Sequence, residues 1–230
     1  MTDAVVMAAG EGRRLRPLTE RWAKPVLPID GRAVIATLLR ELVAAGCSRA
    51  TIVVGHLREQ IEALVGDGSA FGLEVGYAHQ PSPDGSADAV RRAEAAAPYL
   101  IAVADTAFRQ GDVRRFASAA AATGAAGAMA VRRDPAPGPG RAAVRVQAGR
   151  VTRVPDDDPA NPFAAASLWF LDRPLDEYLH RIDGPPYELA AAYQLAIDEG
   201  ADVRAIEIGR TRDLTEPLDL VKENFPYLTR

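Results

Sequence analysis

Residues Val5 to Pro28 read VVMAAGEGRRLRPLTERWAKPVLP, and the rest of the chain is best understood as serving them. The apolar run Ala4 to Ala8 that opens this stretch is short and sharply bounded, as a buried parallel strand is. It breaks into a loop carrying Gly10, Gly12, four arginines and the lysine Lys24. Glycines let backbone N–H groups approach phosphate oxygens with no side chain in the way, and the cations neutralise the charge of a triphosphate. A buried strand feeding a basic glycine loop is a phosphate site.

Two common phosphate loops do not fit. A dinucleotide fingerprint needs a third small residue where Leu15 stands, an immediate helix, and an acid at the end of a second strand. Here Arg16, Pro17 and Leu18 follow, and the nearby acid, Asp30, sits beside Gly31 in a turn. A Walker A loop needs Gly-Lys-Ser/Thr, which is absent. What remains, GxGxRLRPLT followed by KPVLP, closely resembles the signature of the nucleoside-diphosphate-sugar pyrophosphorylases, the sugar-phosphate nucleotidyltransferases. The resemblance implies that Ala8, Ala9, Gly10, Gly12 and Arg13 wrap the nucleotide, with Arg13 where the family has Thr. It implies too that Arg14 and Lys24 hold the triphosphate.

Composition singles out Lys24 independently. The 27 basic residues include only two lysines, Lys24 and Lys222, so a retained lysine marks a site suited to a compact ammonium rather than a planar fork. The 230 residues, 48% of them hydrophobic, suffice for one large α/β core. A net charge of −4 without a long basic block argues against nucleic-acid and anionic-membrane partners. A single cysteine, Cys47, excludes an internal disulfide and fits a reducing compartment. Without an 18-residue apolar run or a leader-like start, the expected location is cytoplasmic.

The first half alternates strands and helices: Ala33 to Ala44 is a helical stripe, Ala50 to Val54 a strand, and Arg58 to Val65 a helix. Leu73 to Ala78 follows as a strand, Ala87 to Ala97 as a helix with Ser86 as its cap, Leu100 to Ala104 as a strand, and Asp112 to Ala122 as a helix. This spacing predicts βαβ units and a doubly wound, Rossmann-like sheet. In the second half Ala126 to Arg132, Ala142 to Val146 and Val151 to Val154 read as an antiparallel meander around the turn Asp134 to Gly140. Ser167 to Leu171 and Val203 to Ile208 read as strands, and Tyr187 to Glu199 and Pro217 to Asn224 as helices. No linker divides the chain. The expectation is a single α/β domain with a mixed sheet, residues 1–125 forming a nucleotide-binding half and 126–230 an acceptor-binding half, in the nucleotide-diphospho-sugar transferase fold that the resemblance implies.

The loop QPSPDGSADAV, Gln80 to Val90, offers an amide that can both donate and accept, a rigid proline turn, and Gly85, where a flat base could lie. It is very like the base-reading segment of thymidylyl- and uridylyltransferases, which implies base contacts from Gln80, Pro83, Gly85 and Ser86 and favours dTTP or UTP. Asp105 ends the strand YLIAVA, where a carboxylate facing the phosphates could hold Mg²⁺ with few other protein ligands. By resemblance, Asp213 in TRDLTEPLDL is the second metal carboxylate, although Thr211 stands where the family has Trp.

Departures gather in the acceptor half. VPDDDPANP places Asp156 to Asp158 where the family presents a phosphate-binding lysine, leaving Arg153, Arg132 and Arg133 as substitute cations. AAASLWF, Ala164 to Phe170, lacks the family's asparagine and glycine, and Glu188-Leu189 keeps only the start of an acceptor-binding helix. His56, His79 and His180 have no metal-ligand spacing. The resemblance therefore implies nucleotidyl transfer from an NTP to a sugar 1-phosphate, with Mg²⁺. Transfer to a non-sugar phosphate such as phosphocholine, or a nucleotide-binding regulatory subunit without turnover, are the alternatives. Oligomeric state is open.

Overall fold

The structure, a computed structural model, describes residues 3–133, 143–158, 160–225 and 227. In chain order its strands and helices begin with β1 (Asp3–Ala8), β2 (Pro28–Ile29), β3 (Arg32–Ala33), α1 (Val34–Ala44), β4 (Arg49–Val54), α2 (Arg58–Val65) and β5 (Glu74–His79). They continue through α3 (Ser86–Arg92), β6 (Tyr99–Val103), β7 (Thr106–Ala107), α4 (Asp112–Thr123), β8 (Gly127–Arg133), β9 (Arg145–Gln147) and β10 (Arg150–Arg153). The last are β11 (Phe163–Leu171), α5 (Arg173–Asp176), α6 (Leu189–Asp198), β12 (Val203–Glu207), β13 (Arg212–Asp213) and α7 (Pro217–Asn224). Among the described residues no helix is long and apolar enough to cross a membrane.

One nine-stranded mixed sheet runs β5-β4-β1-β6-β11-β8-β12-β10-β9. Its first four strands are parallel, as the βαβ pattern predicts. Strand β1 lies inside this group, and its alternate residues serve two cores. Val6 and Ala8 pack toward Ile35, Leu39 and Phe116, while Val5 and Met7 pack toward Ala87, Val90 and Tyr193. Helices α1 and α4 thus cover one face, and α3 and α6 the other, which makes the sheet doubly wound. Because β1 is buried on both faces, it reads as an unbroken apolar run instead of an alternating one.

The second half departs from the predicted meander. Strand β8 does not pair with β9; it lies between β11, antiparallel to it, and β12, parallel to it. The burial of Gly127 to Arg132 explains this, since a strand covered throughout belongs in the middle of a sheet. Strands β9 and β10 form an exposed, arginine-rich hairpin at the far edge, where charge suits an open border. Ala143 makes only an isolated bridge to Ala164, and the turn Asp134 to Gly140 lies outside the described residues. Strand β11 begins at Phe163, earlier than expected, and carries a register shift between Ala165 and Trp169, with Ser167 at φ 57°. Helix α3 stops at Arg92, short of the predicted Ala97: Glu94 takes a left-handed φ of 48°, and Pro98 disfavours a helical Ala97.

Candidate active site

Beyond the carboxyl end of β1 the chain turns at Gly12, which has φ 61°. A Cβ there would stand 2.9 Å from Thr19 Cγ2 and 3.3 Å from Lys24 Cβ, so both the conformation and the close approach require glycine. The Thr19 hydroxyl donates to the Gly12 carbonyl at 2.9 Å and closes the loop on itself. Leu15 is buried with Leu27, Ile29, Val34, Ala107 and Leu214, a small core separate from the two that flank the sheet. This cluster joins the glycine loop, the segment after β6 and the segment after β13. It thereby brings Lys24, Asp105 and Asp213 into one neighbourhood from three distant parts of the chain.

A cavity of about 310 Å³ opens above this cluster, lined by Ala8, Gly10, Gly12, Arg13, Arg14, Lys24, Asp105 and Thr215 among others. Lys24 Nζ is hydrogen-bonded to Asp105 Oδ2, a pairing across 81 residues of sequence. Arg13 donates to Glu11 at 2.8 Å, and Arg14 makes no ion pair among the described residues. The cavity therefore offers one neutralised lysine, one uncommitted guanidinium and backbone N–H groups in a single bowl.

The carboxylates suit a hard divalent cation. Asp105 lies on the cavity wall, and Asp213 pairs across β13 and β7 with Thr106, the neighbour of Asp105. Among the described residues no group of three or more His, Cys, Asp or Glu is arranged to hold a metal ion, so Asp105 and Asp213 are the two carboxylates that could contribute to one. Asp213 is also drawn another way: its Oδ1 lies 4.0 Å from Nη1 of Arg132, which is buried and donates to the Thr211 hydroxyl.

The base loop is built differently from the sequence expectation. Gly85, at φ 114°, is the residue that caps α3, and Ser86 is the first helical residue. The Ser86 hydroxyl instead donates to Glu188 at 2.6 Å and accepts from the Leu189 N–H at 2.7 Å, capping α6. A Cβ on Gly85 would come within 2.3 Å of the Tyr187 backbone, so this glycine's freedom serves a close approach to the acceptor half. Gln80, Pro83, Gly85 and Ser86 are not on the wall of the cavity around Lys24. The Gln80 backbone meets the glycine loop through Gly55, whose Cβ would stand 2.8 Å from Ala9 O and 3.0 Å from Gln80 O.

The candidate acceptor cations do not converge. Arg132 is turned inward, and Arg133 pairs with Glu207 at 3.1 Å while lying over the Phe163 ring. Arg153 is exposed at the end of β10. Asp156, which stands where a lysine was expected, is buried and accepts from Arg145 at 2.8 Å and Asn161 at 2.6 Å. Burial opposes its ionisation, but these hydrogen bonds outweigh it and hold its pKa below the ordinary carboxylate value. The acidic run thus begins as a structural tie.

Sequence reasoning missed the outer brace of the glycine loop. From α2, Gln60 Oε1 accepts from Ala23 N–H at 2.9 Å while its Nε2 donates to Arg21 O at 2.8 Å. His56 Nε2 donates to Thr19 O at 2.7 Å. These side chains splint residues 19–23, immediately before Lys24. An outward-facing polar residue of a helix leaves no periodic signal, so no pattern could have found Gln60. Asp88 was legible in principle from its i,i+4 spacing to Arg92.

A family model described as nucleotidyl transferase matches residues 3–210. The chain belongs to that family. The resemblance read from Gly10 to Pro28 is thus borne out at the level of the family. A glucose-1-phosphate thymidylyltransferase of Streptomyces griseus is 45% identical over 87 residues, 38% of this chain and 24% of that protein. A CMP-5'-(3-aminopropyl)phosphonate synthase of Streptomyces rubellomurinus is 33% identical over 134 residues, 56% of this chain and 21% of that protein. These matches span about a quarter of the relatives' own length. The solved inositol-1-phosphate CTP transferase of T. maritima superposes with a TM-score of 0.81 at 19% identity, covering 95% of this chain and 91% of that one, a likeness of fold. In this nucleotidyl transferase family member, one cavity holds Arg13, Arg14 and Lys24 with Asp105 on its wall.

Proposed function

We propose that this chain transfers a nucleoside monophosphate from an NTP, dTTP or UTP by preference, to a sugar 1-phosphate, releasing pyrophosphate. The observation that carries the reading is the Lys24 to Asp105 pair set in one cavity with Gly10, Gly12 and Arg14. In the proposed reaction Gly10 and Gly12 present backbone to the triphosphate, as Ala8, Ala9 and Arg13 line its path. Arg14 and Lys24 stabilise the charge that develops on the departing pyrophosphate. Asp105 and Asp213 would hold Mg²⁺, which when bound neutralises phosphate oxygens and aligns them. An acceptor phosphate oxygen attacks the α-phosphorus in line, so the chain supplies alignment and charge without a general base.

Gln80, Pro83, Gly85 and Ser86 are assigned to the base side. Glu188, joined to Ser86, is assigned to the junction with the acceptor. Of the three arginines considered for the acceptor phosphate, Arg153 alone makes no ion pair among the described residues, and we assign it that role. The commitment of Asp156 to Arg145 and Asn161, where a lysine was expected, favours a second reading in which the acceptor is a non-sugar phosphate or phosphonate.

Pyrophosphate release with Mg²⁺ tests the reading, crossing five NTPs against sugar 1-phosphates, phosphocholine and an aminoalkylphosphonate. Release that requires both substrates and vanishes in Asp105→Asn is the expected result. Nucleotide binding with no release from any pair would instead mark a regulatory subunit.

A further inference from the structure

Gln80 is 7% exposed, and both hydrogens of its side-chain amide are engaged. Its Nε2 donates to Gly85 O at 3.0 Å and to Asp88 Oδ2 at 2.8 Å. A backbone carbonyl and a carboxylate can only accept, so these partners fix which end of the amide is nitrogen. The same Asp88 oxygen accepts from Arg92 Nε at 2.7 Å, and Arg91 stands 3.5 Å from the other. Gln80 Oε1 makes no hydrogen bond among the described residues and is not sealed from solvent. An amide that is otherwise buried thus keeps one group for a ligand, an acceptor. Through Gly55 the Gln80 backbone abuts Ala9 of the phosphate loop.

We propose that Asp88 is a positioning residue for base selection: by holding the Gln80 nitrogen it leaves only a carbonyl to face the base, so the site takes a pyrimidine presenting a ring N–H, uracil or thymine. Cytosine in the same pose would set a bare ring nitrogen against that carbonyl, acceptor against acceptor. The inference rests on the base-reading role assigned to Gln80 above. When Asp88 is removed the amide nitrogen keeps only the Gly85 carbonyl, so the amide is held less firmly and the orientation that turns nitrogen to the base becomes populated. Asp88→Ala therefore weakens the polarity, while Asp88→Asn, which keeps a side-chain acceptor, largely preserves it.

Calorimetric titration with the Mg²⁺ complexes of UTP, CTP, N3-methyl-UTP and inorganic tripolyphosphate tests this. In the native chain UTP is expected to bind about ten-fold or more tighter than CTP or N3-methyl-UTP, the discrimination one mispaired base edge carries. In Asp88→Ala the UTP to CTP ratio falls toward one, Asp88→Asn lies close to the native ratio, and tripolyphosphate binds all three alike. A role in folding alone would weaken every ligand together and leave the ratio unmoved. CTP or N3-methyl-UTP binding as tightly as UTP to the native chain overturns the proposal, with no variant needed. An unchanged ratio in Asp88→Ala with tripolyphosphate binding intact overturns the part assigned to Asp88. Failure of tripolyphosphate and every nucleotide to bind the native chain overturns the triphosphate site itself, and this inference with it.

Discussion

The two halves of the sheet use their polar side chains in opposite ways. From β1 to β7, the charged and amide groups at the strand ends are kept for the crevice: Lys24 and Asp105 meet in the cavity, Arg14 lines it uncommitted, and Gln80 retains one open acceptor. From β8 onward, the corresponding groups are tied into the protein: Asp156 to Arg145 and Asn161, Arg133 to Glu207, Arg132 to Thr211, and Glu188 to Ser86. A site that must receive a highly charged ligand leaves its charges partly unsatisfied, whereas a scaffold satisfies them. On the proposed reading, the contrast teaches that the side assigned to the triphosphate is arranged in advance and the side assigned to the acceptor is built around internal ties.

The largest expected effect lies in the first half. Lys24→Met removes the ammonium that faces the triphosphate, and pyrophosphate release should fall by roughly 100- to 1,000-fold, the scale of losing one charge-stabilising donor. Circular dichroism should show the fold intact, because Lys24 packs at the cavity and outside the large cores. A loss below five-fold would break the contrast. Gln60→Leu comes next. Loosening residues 21–23 should lower kcat by about ten-fold with base preference unchanged, since misplacement of a positioned group is costly even when its chemistry is intact. Hydrogen exchange at the Ala23 amide should accelerate in the same variant, which reads the splint without reference to activity.

The second half should answer mainly in stability. Asp156→Ala deletes a buried acceptor and should cost about 1–3 kcal/mol in denaturant unfolding while leaving nucleotide affinity unchanged. The pH dependence has a definite sign. The folded-state pKa of Asp156 lies below its unfolded value, so its contribution is fully present above the unfolded pKa and is lost as pH falls through the folded one. Melting curves of native chain and variant should keep their separation down to the unfolded carboxylate value of 3.8 and converge only as the pH falls below it. The smallest effect is expected of Arg153→Ala, a several-fold rise in acceptor KM with NTP KM unchanged; a change in NTP KM would place Arg153 on the wrong side of the comparison.

The first half was the legible one. Ala4 to Ala8 could be read as a buried parallel strand because burial on both faces removes alternation, and the loop after it concentrates glycine and cations as few other loops do. The second half was harder for a physical reason: short apolar runs state that a strand is buried but not which strand lies beside it. Gly127 to Val131 reads equally well as one leg of a meander or as the central strand it is. Ser86 shows the same limit at a single residue. Its place before a helix suggests a cap, and it is one, but for α6 instead of α3, because Gly85 already turns the chain. Gln60 acts through contacts set by tertiary packing, which local sequence does not encode, and so does the hold of Asp88 on Gln80, although the pairing of Asp88 with Arg92 follows helix spacing.

One titration tests the proposed triphosphate site most directly: UTP with Mg²⁺ into the native chain and into Lys24→Met, with no acceptor present. Saturable binding to the native chain, weakened at least ten-fold in the variant, is the expected result, because the Lys24 ammonium would face the triphosphate directly. Absence of binding to the native chain, or equal binding to both, would contradict that reading.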